Sequence, residues 1–103
     1  MDTPLVVEIP HRLGKEEAVR RLKGGIGKAS SQYGNMVQVH EEIWSGDRLS
    51  FRVEALRQMV SGTVDVREEN VRIEVMLPWL LARLASGIQS AIRKSGTLLL
   101  EKK

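Results

Sequence analysis

The sequence contains no cysteine, which excludes a disulfide scaffold, a thiolate nucleophile and a cysteine zinc site. Aromatic side chains are scarce, with two Trp, one Tyr and one Phe, so there is little to stack on nucleic-acid bases. No apolar run approaches the roughly 18 residues of a membrane span. The opening Met1-Asp2-Thr3-Pro4 has neither a basic segment nor a long apolar one, so a secretory leader is not expected. Neither sign of charge dominates: 16 Lys and Arg against 13 Asp and Glu leave a net +3. What is present is ordinary globular material, 42% hydrophobic and 28% charged. A chain of 103 residues suits one domain, 1–103, and hides about two-thirds of its unfolded surface. Such a core needs no metal or disulfide to fold.

The apolar spacing defines the elements. Leu5, Val7 and Ile9 alternate in a strand from Pro4 to Ile9 that Pro10 stops. Lys15-Glu16-Glu17 opens a helix with acids in its first turn, where the helix dipole favours them. Ala18, Val19, Leu22, Ile26 and Ala29 continue it at helical spacing to about Gln32, and Tyr33-Gly34-Asn35 ends it. Val37, Val39 and Ile43 mark a strand from Met36 to Trp44, with Glu41 breaking the alternation. Ser45-Gly46-Asp47 is a hairpin signal. Leu49, Phe51 and Val53 then alternate with Arg48, Ser50 and Arg52, giving a strand with one wet face. Glu54 to Gln58 reads as a turn. Val60, Gly62, Val64 and Val66 line the next strand, Glu68-Glu69-Asn70 turns, and Val71, Ile73, Val75 and Leu77 form the last. Pro78 suits the first turn of a helix whose stripe is Leu81, Leu84, Ile88, Ala91 and Ile92, with Gly96 as its C-cap. The order β-α-β-β-β-β-α predicts an α+β fold: an antiparallel sheet with two helices packed on one face, helix-grip-like in outline.

Several chemical motifs begin and fail. Gly24-Gly25-Ile26-Gly27-Lys28-Ala29-Ser30 lacks the first glycine of a phosphate loop and the Ser or Thr after Lys. Its small residues are expected to sit close to the sheet or to form a soft helix end. His40-Glu41-Glu42-Ile43-Trp44 opens like a zinc-protease helix, but Trp44 stands where the second His belongs. His11 lies in a separate connector. No Gly-x-Ser-x-Gly elbow surrounds a serine. No catalytic, cofactor-binding or metal-ligating residue is therefore expected. Arg20, Arg21, Lys23 and Lys28 on the first helix, and Arg83, Arg93 and Lys94 on the second, are the basic footprint a nucleic acid would need. Glu16, Glu17, Glu68, Glu69 and Glu74 dilute it, and solvated helix faces are the simpler reading.

Two apolar groups remain. Trp79 at the strand–helix junction is expected to be buried. Leu80 and Leu81 cannot both face one narrow stripe, so the helix is broadly buried or one apolar side chain reaches solvent, a partner or a ligand. Leu98, Leu99 and Leu100 would spread over about 200° of a helix, more than a core stripe accepts. Residues 96–103 are either a last turn or a frayed tail. An exposed leucine cluster beside Lys102 and Lys103 suits attachment to a hydrophobic surface or a second copy of the chain. Trp79, Leu80, Leu98, Leu99 and Leu100 are thus the candidate contact residues.

The ordered motifs resemble a family. Val6-Val7-Glu8-Ile9-Pro10-His11-Arg12-Leu13-Gly14-Lys15-Glu16-Glu17-Ala18 is an extended piece, an HxLG connector and a helix start. Gly46-Asp47-Arg48-Leu49-Ser50-Phe51 is a GDxLxF run. Ser61-Gly62-Thr63-Val64-Asp65-Val66, then Val71-Arg72-Ile73-Glu74-Val75-Met76-Leu77-Pro78, and a helix ending Ile92-Arg93-Lys94, complete the pattern. From Val6 to Lys94 this resembles the small polyhydroxyalkanoic acid system proteins, encoded near polyhydroxyalkanoate synthesis genes in bacteria. The resemblance implies a cytoplasmic protein associated with polyester storage granules or their regulation, with the granule surface or a granule protein as partner. Together with the absence of a catalytic constellation it leads to the expectation of a non-enzymatic accessory protein, and the leucines add self-association as a further candidate. The family carries no established activity, so no functional residue is transferred. Two other readings stand beside it: a small module binding an acyl or other apolar ligand between sheet and C-terminal helix, and a nucleic-acid-binding regulator. Gly62 leaves a gap in a row of β-branched residues, and the C-terminal helix near Leu84 to Ile88 is expected to fill it.

Overall fold

The computed structural model describes residues 3–31 and 37–101, with backbone alone at residues 3 and 26–31. Strand β1 spans Thr3–Pro10 and helix α1 spans Lys15–Ser31. Four strands follow: β2 Val37–Ser45, β3 Arg48–Ala55, β4 Gln58–Val66 and β5 Asn70–Leu77. A 3-10 helix over Trp79–Leu84 leads into helix α2, Ala85–Leu100. The sheet order is β1-β5-β4-β3-β2 and every neighbouring pair is antiparallel. The chain starts at one edge, crosses in α1 to the other, and returns strand by strand until β5 closes on β1. This is the expected α+β order. The Tyr33-Gly34-Asn35 helix stop, Met36, and the side chains of Ile26, Lys28 and Ala29 lie outside what is described.

Alternation decides which face is covered. Val7 and Ile9 of β1, Leu49 of β3, Val64 and Val66 of β4 and Val71 of β5 pack with Ala18 and Leu22 of α1 and Leu100 of α2. A second cluster, Val60, Val75, Leu77 and Leu81, lies beneath the 3-10 helix and the start of α2. The opposite face is wet and carries the pairs Arg52–Glu41 and Arg48–Asp65, at 3.1 and 3.3 Å. Such exposed pairs fix register more than they stabilise.

Five local expectations need correction. First, the register of β2 against β3 slips between Val39 and Glu41, a bulge at His40. The bulge reverses which side faces the helices, so Trp44 joins the core and Ile43 is 53% exposed on the wet face. Second, Glu54 to Gln58 is mostly strand. The turn is only Leu56 and Arg57, at φ 53° and 66°. Two positive φ values are the type I′ pattern, normally supplied by Asn-Gly, and the absence of those residues hid it. Third, Pro78 precedes a 3-10 helix rather than opening an α-helix. Trp79, expected to be buried, is exposed.

The last two corrections concern glycines. Gly62 is met by its cross-strand partner, the ring of Phe51, and not by α2. The helix passes elsewhere, and the aromatic ring of β3 covers the bare backbone. Gly96 is not a C-cap: it is buried inside α2, where a Cβ would overlap Ile9 Cδ1 of β1. Helix α2 therefore runs on to Leu100, and the described part of 96–103 is neither a frayed tail nor a loose turn. Leu100 is buried, Leu99 packs into the space beside Gly25 of α1, and only Leu98 stays exposed. Gly25 of α1 thus approaches α2 rather than the sheet.

Removing residues 96–103 deletes Leu99 and Leu100 from this packing. Each buried leucine is worth about 2–5 kcal/mol when truncated. The shortened chain is expected to lose its cooperative thermal transition by circular dichroism. A transition like that of the full chain would place the leucines outside the core.

Candidate functional site

The polar residues of the sequence motifs serve the fold. The His11 ring is buried and accepts the Leu13 N–H on Nδ1 at 3.2 Å, so its proton sits on Nε2 and is donated to the Arg67 carbonyl at 2.9 Å. The His11 N–H also donates to the Glu69 carbonyl at 3.0 Å. One histidine thus ties the β1–α1 connector to the β4–β5 turn. Gly14, at φ 80°, turns the chain into α1, and its carbonyl accepts the Ala18 N–H at 3.1 Å. Asp47 pairs with Lys15 Nζ at 3.1 Å, while its carbonyl accepts the Val66 N–H at 3.0 Å. Leu49 is buried and Phe51 covers Gly62. The HxLG, GDxLxF and GxVxV runs are therefore three parts of one packing arrangement.

Four of the basic side chains, Arg20, Arg21, Lys23 and Arg93, are likewise engaged. Hydrogen bonds from Arg20 and then Arg21 hold the Glu17 carboxyl at about 2, below its ordinary 4.5, and the same pairing raises Arg20. Arg21 also donates to the Glu101 carbonyl at the end of α2. Lys23 stands 5.2 Å over the Trp44 ring, and Arg93 donates to the Glu8 carbonyl at 3.2 Å. Among the described residues no cluster of three or more His, Asp or Glu could hold a metal ion. No described helix is long and apolar enough to cross a membrane.

What is left over is apolar, and most of it gathers at one end of the sheet. The pairs Ala55↔Gln58 and Ser61↔Met76 put the β3–β4 turn beside the end of β5, where Pro78 leads into the 3-10 helix. That end carries Leu56, Met59, Trp79, Leu80 and Leu84, each 45–66% exposed. Val39 near the start of β2 adds to it at 37%. Of the five residues expected to form a contact surface, the structure places Trp79 and Leu80 here. Leu98 lies some 20 Å along α2, by 1.5 Å per residue, in an open groove of about 370 Å³ with Ser90, Arg93, Lys94, Thr97 and Glu101. Leu99 and Leu100 are packed inside. Sequence reasoning missed Leu56, Met59 and Leu84. The available signal was a leucine in a stretch that otherwise read as a turn.

One comparison with known proteins agrees with the motif pattern. The family described as "Putative polyhydroxyalkanoic acid system protein" matches residues 5–99. The chain belongs to this family. A search of curated proteins finds no match. Among solved structures the chain is similar to the crystal structure of TTHA0849 from Thermus thermophilus, at 14% identity over 96% of this chain and 92% of that one, with a TM-score of 0.42. Membership associates the protein with polyhydroxyalkanoate metabolism.

The Leu56-Arg57 turn holds two L-residues in a left-handed conformation, which costs roughly 1–2 kcal/mol each. Packing does not require them, since both are exposed. Replacing the turn by Leu56→Asn with Arg57→Gly is expected to raise the urea midpoint, by on the order of 1 kcal/mol in stability. A lower midpoint would show that these side chains hold the hairpin together.

Proposed function

We propose that this protein is a non-enzymatic accessory of polyhydroxyalkanoate metabolism that works in the cytoplasm on the surface of polyester granules, attached by the apolar end of its sheet. The observation that carries the reading is the gathering at that end of Leu56 from the turn and Trp79, Leu80 and Leu84 from the 3-10 helix, with Met59 beside the turn on the opposite, wet face. Exposed large apolar side chains scattered singly need no explanation, whereas several converging from separate elements mark a contact surface. Family membership supplies the setting. The non-enzymatic part is supported by the work the motif residues already do: His11 and Asp47 hold connectors together. An acyl pocket between sheet and α2 is less favoured, because Ile9 of β1 against Gly96 of α2 closes the packing of sheet on helix at that point.

The test is the position of a fluorescently tagged chain in cells accumulating the polymer. The expected result is signal at granule rims, with Trp79→Ser/Leu80→Ser shifting it to the cytosol. An evenly dispersed signal for the unaltered chain would overturn the proposal.

A further inference from the structure

We infer that the surface this end enters is an anionic phospholipid layer, with Trp79, Leu80 and Leu56 reaching the acyl region and Arg57 and Arg83 meeting phosphates. The inference rests on the proposed attachment and names its chemistry. Its basis is the charge around the apolar side chains. Arg57 occupies the outermost position of the β3–β4 turn next to Leu56, and it is exposed. Arg83 stands one 3-10 turn after Leu80, on the same side of that helix, and it too is exposed. Among the described residues neither arginine pairs with a carboxylate. The acid nearest in sequence to this turn, Glu54, is engaged by His40 at 3.1 Å. From β2 come Val37, Gln38 and Val39, from β4 Gln58 and Met59, and from β5 Leu77, none of them charged. Among the described residues this end therefore carries exposed apolar side chains, two arginines without a carboxylate partner, and one acid, Glu54, already paired with His40.

That pattern discriminates between occupants. A bare polyester offers ester groups and no anion, so the arginines would be desolvated without a partner. A second copy meeting the first about a two-fold axis would bring the same cationic patch against itself. An anionic lipid layer neutralises the two arginines while accepting the apolar side chains, and tryptophan favours that interface because its ring is apolar and its N–H polar. The shape suits a soft layer as well, since a hairpin turn and a helical corner project rather than form a flat face.

The test is co-sedimentation of the full chain with three surfaces: phosphatidylcholine vesicles, vesicles that also contain phosphatidylglycerol, and bare polyhydroxybutyrate particles, each at low and high salt. The expected result is binding to the phosphatidylglycerol vesicles that salt weakens. Arg57→Gln/Arg83→Gln should lower it about 25-fold, roughly fivefold per arginine near an anionic surface. Trp79→Ser/Leu80→Ser should abolish it, and Leu98→Ser should leave it unchanged. Leu56→Ser serves as a second apolar variant if the double serine chain fails to melt cooperatively. Equal binding to both vesicle types, or stronger binding to bare polyester unaffected by the arginine changes, would overturn the lipid assignment and leave granule attachment standing. Binding to none of the three surfaces, or a dimer that Trp79→Ser/Leu80→Ser dissociates, would overturn both.

Discussion

The contact between Ile9 and Gly96 sets where the last helix lies. A glycine inside a helix costs about 1 kcal/mol relative to alanine, so its presence in α2 calls for a compensating gain. The gain is proximity: without a Cβ, α2 comes close enough to β1 for Ile9 to fill the gap. Once α2 lies there, Leu100 enters the core and Leu99 reaches the space at Gly25, which fixes α1 in turn. Two arginines reinforce the arrangement, Arg93 on the Glu8 carbonyl and Arg21 on the Glu101 carbonyl. Helix α2 is thereby tied to the β1 edge of the sheet, and α1, which packs toward β2 and β4, is tied to α2.

The strands and their order were legible because alternation is a direct consequence of a half-covered sheet. Val71, Val75 and Leu77 show it most cleanly and are buried as expected. Three features escaped because they depend on contacts distant in sequence or on unusual residues. The bulge at His40 left only the misplaced Glu41 as a trace. The Leu56-Arg57 turn used residues that do not announce a turn. Gly96 looked like a helix end because glycine is common there, and only the position of Ile9, far earlier in the chain, shows otherwise. The apolar end was legible only in part: Leu80 beside Leu81 was one leucine too many for a stripe, Trp79 was expected to be buried and is exposed, and Leu99 and Leu100 at the C-terminus satisfied the core after all.

The residues of the sequence motifs hold parts of the fold together. His11 joins two connectors, Asp47 joins a turn to a helix and a strand, and Phe51 shields Gly62. The apolar end is different in kind. Leu56 and Arg57 hold an unfavourable backbone conformation, and Trp79 and Leu80 expose surface that burial would have favoured. Costs with no return inside the fold are where a contact outside it is expected.

The most direct test of this account is a double-mutant cycle on Ile9 and Gly96 by chemical denaturation. Gly96→Ala alone should destabilise by about 1–3 kcal/mol through overpacking. Ile9→Val alone, which removes the methyl that fills the gap, should cost about 0.5–1.5 kcal/mol. In the Ile9→Val background the added Cβ has room, and Gly96→Ala should become neutral or stabilising, a coupling of about 1–3 kcal/mol. Additivity within about 0.5 kcal/mol would contradict the claim that this contact positions α2.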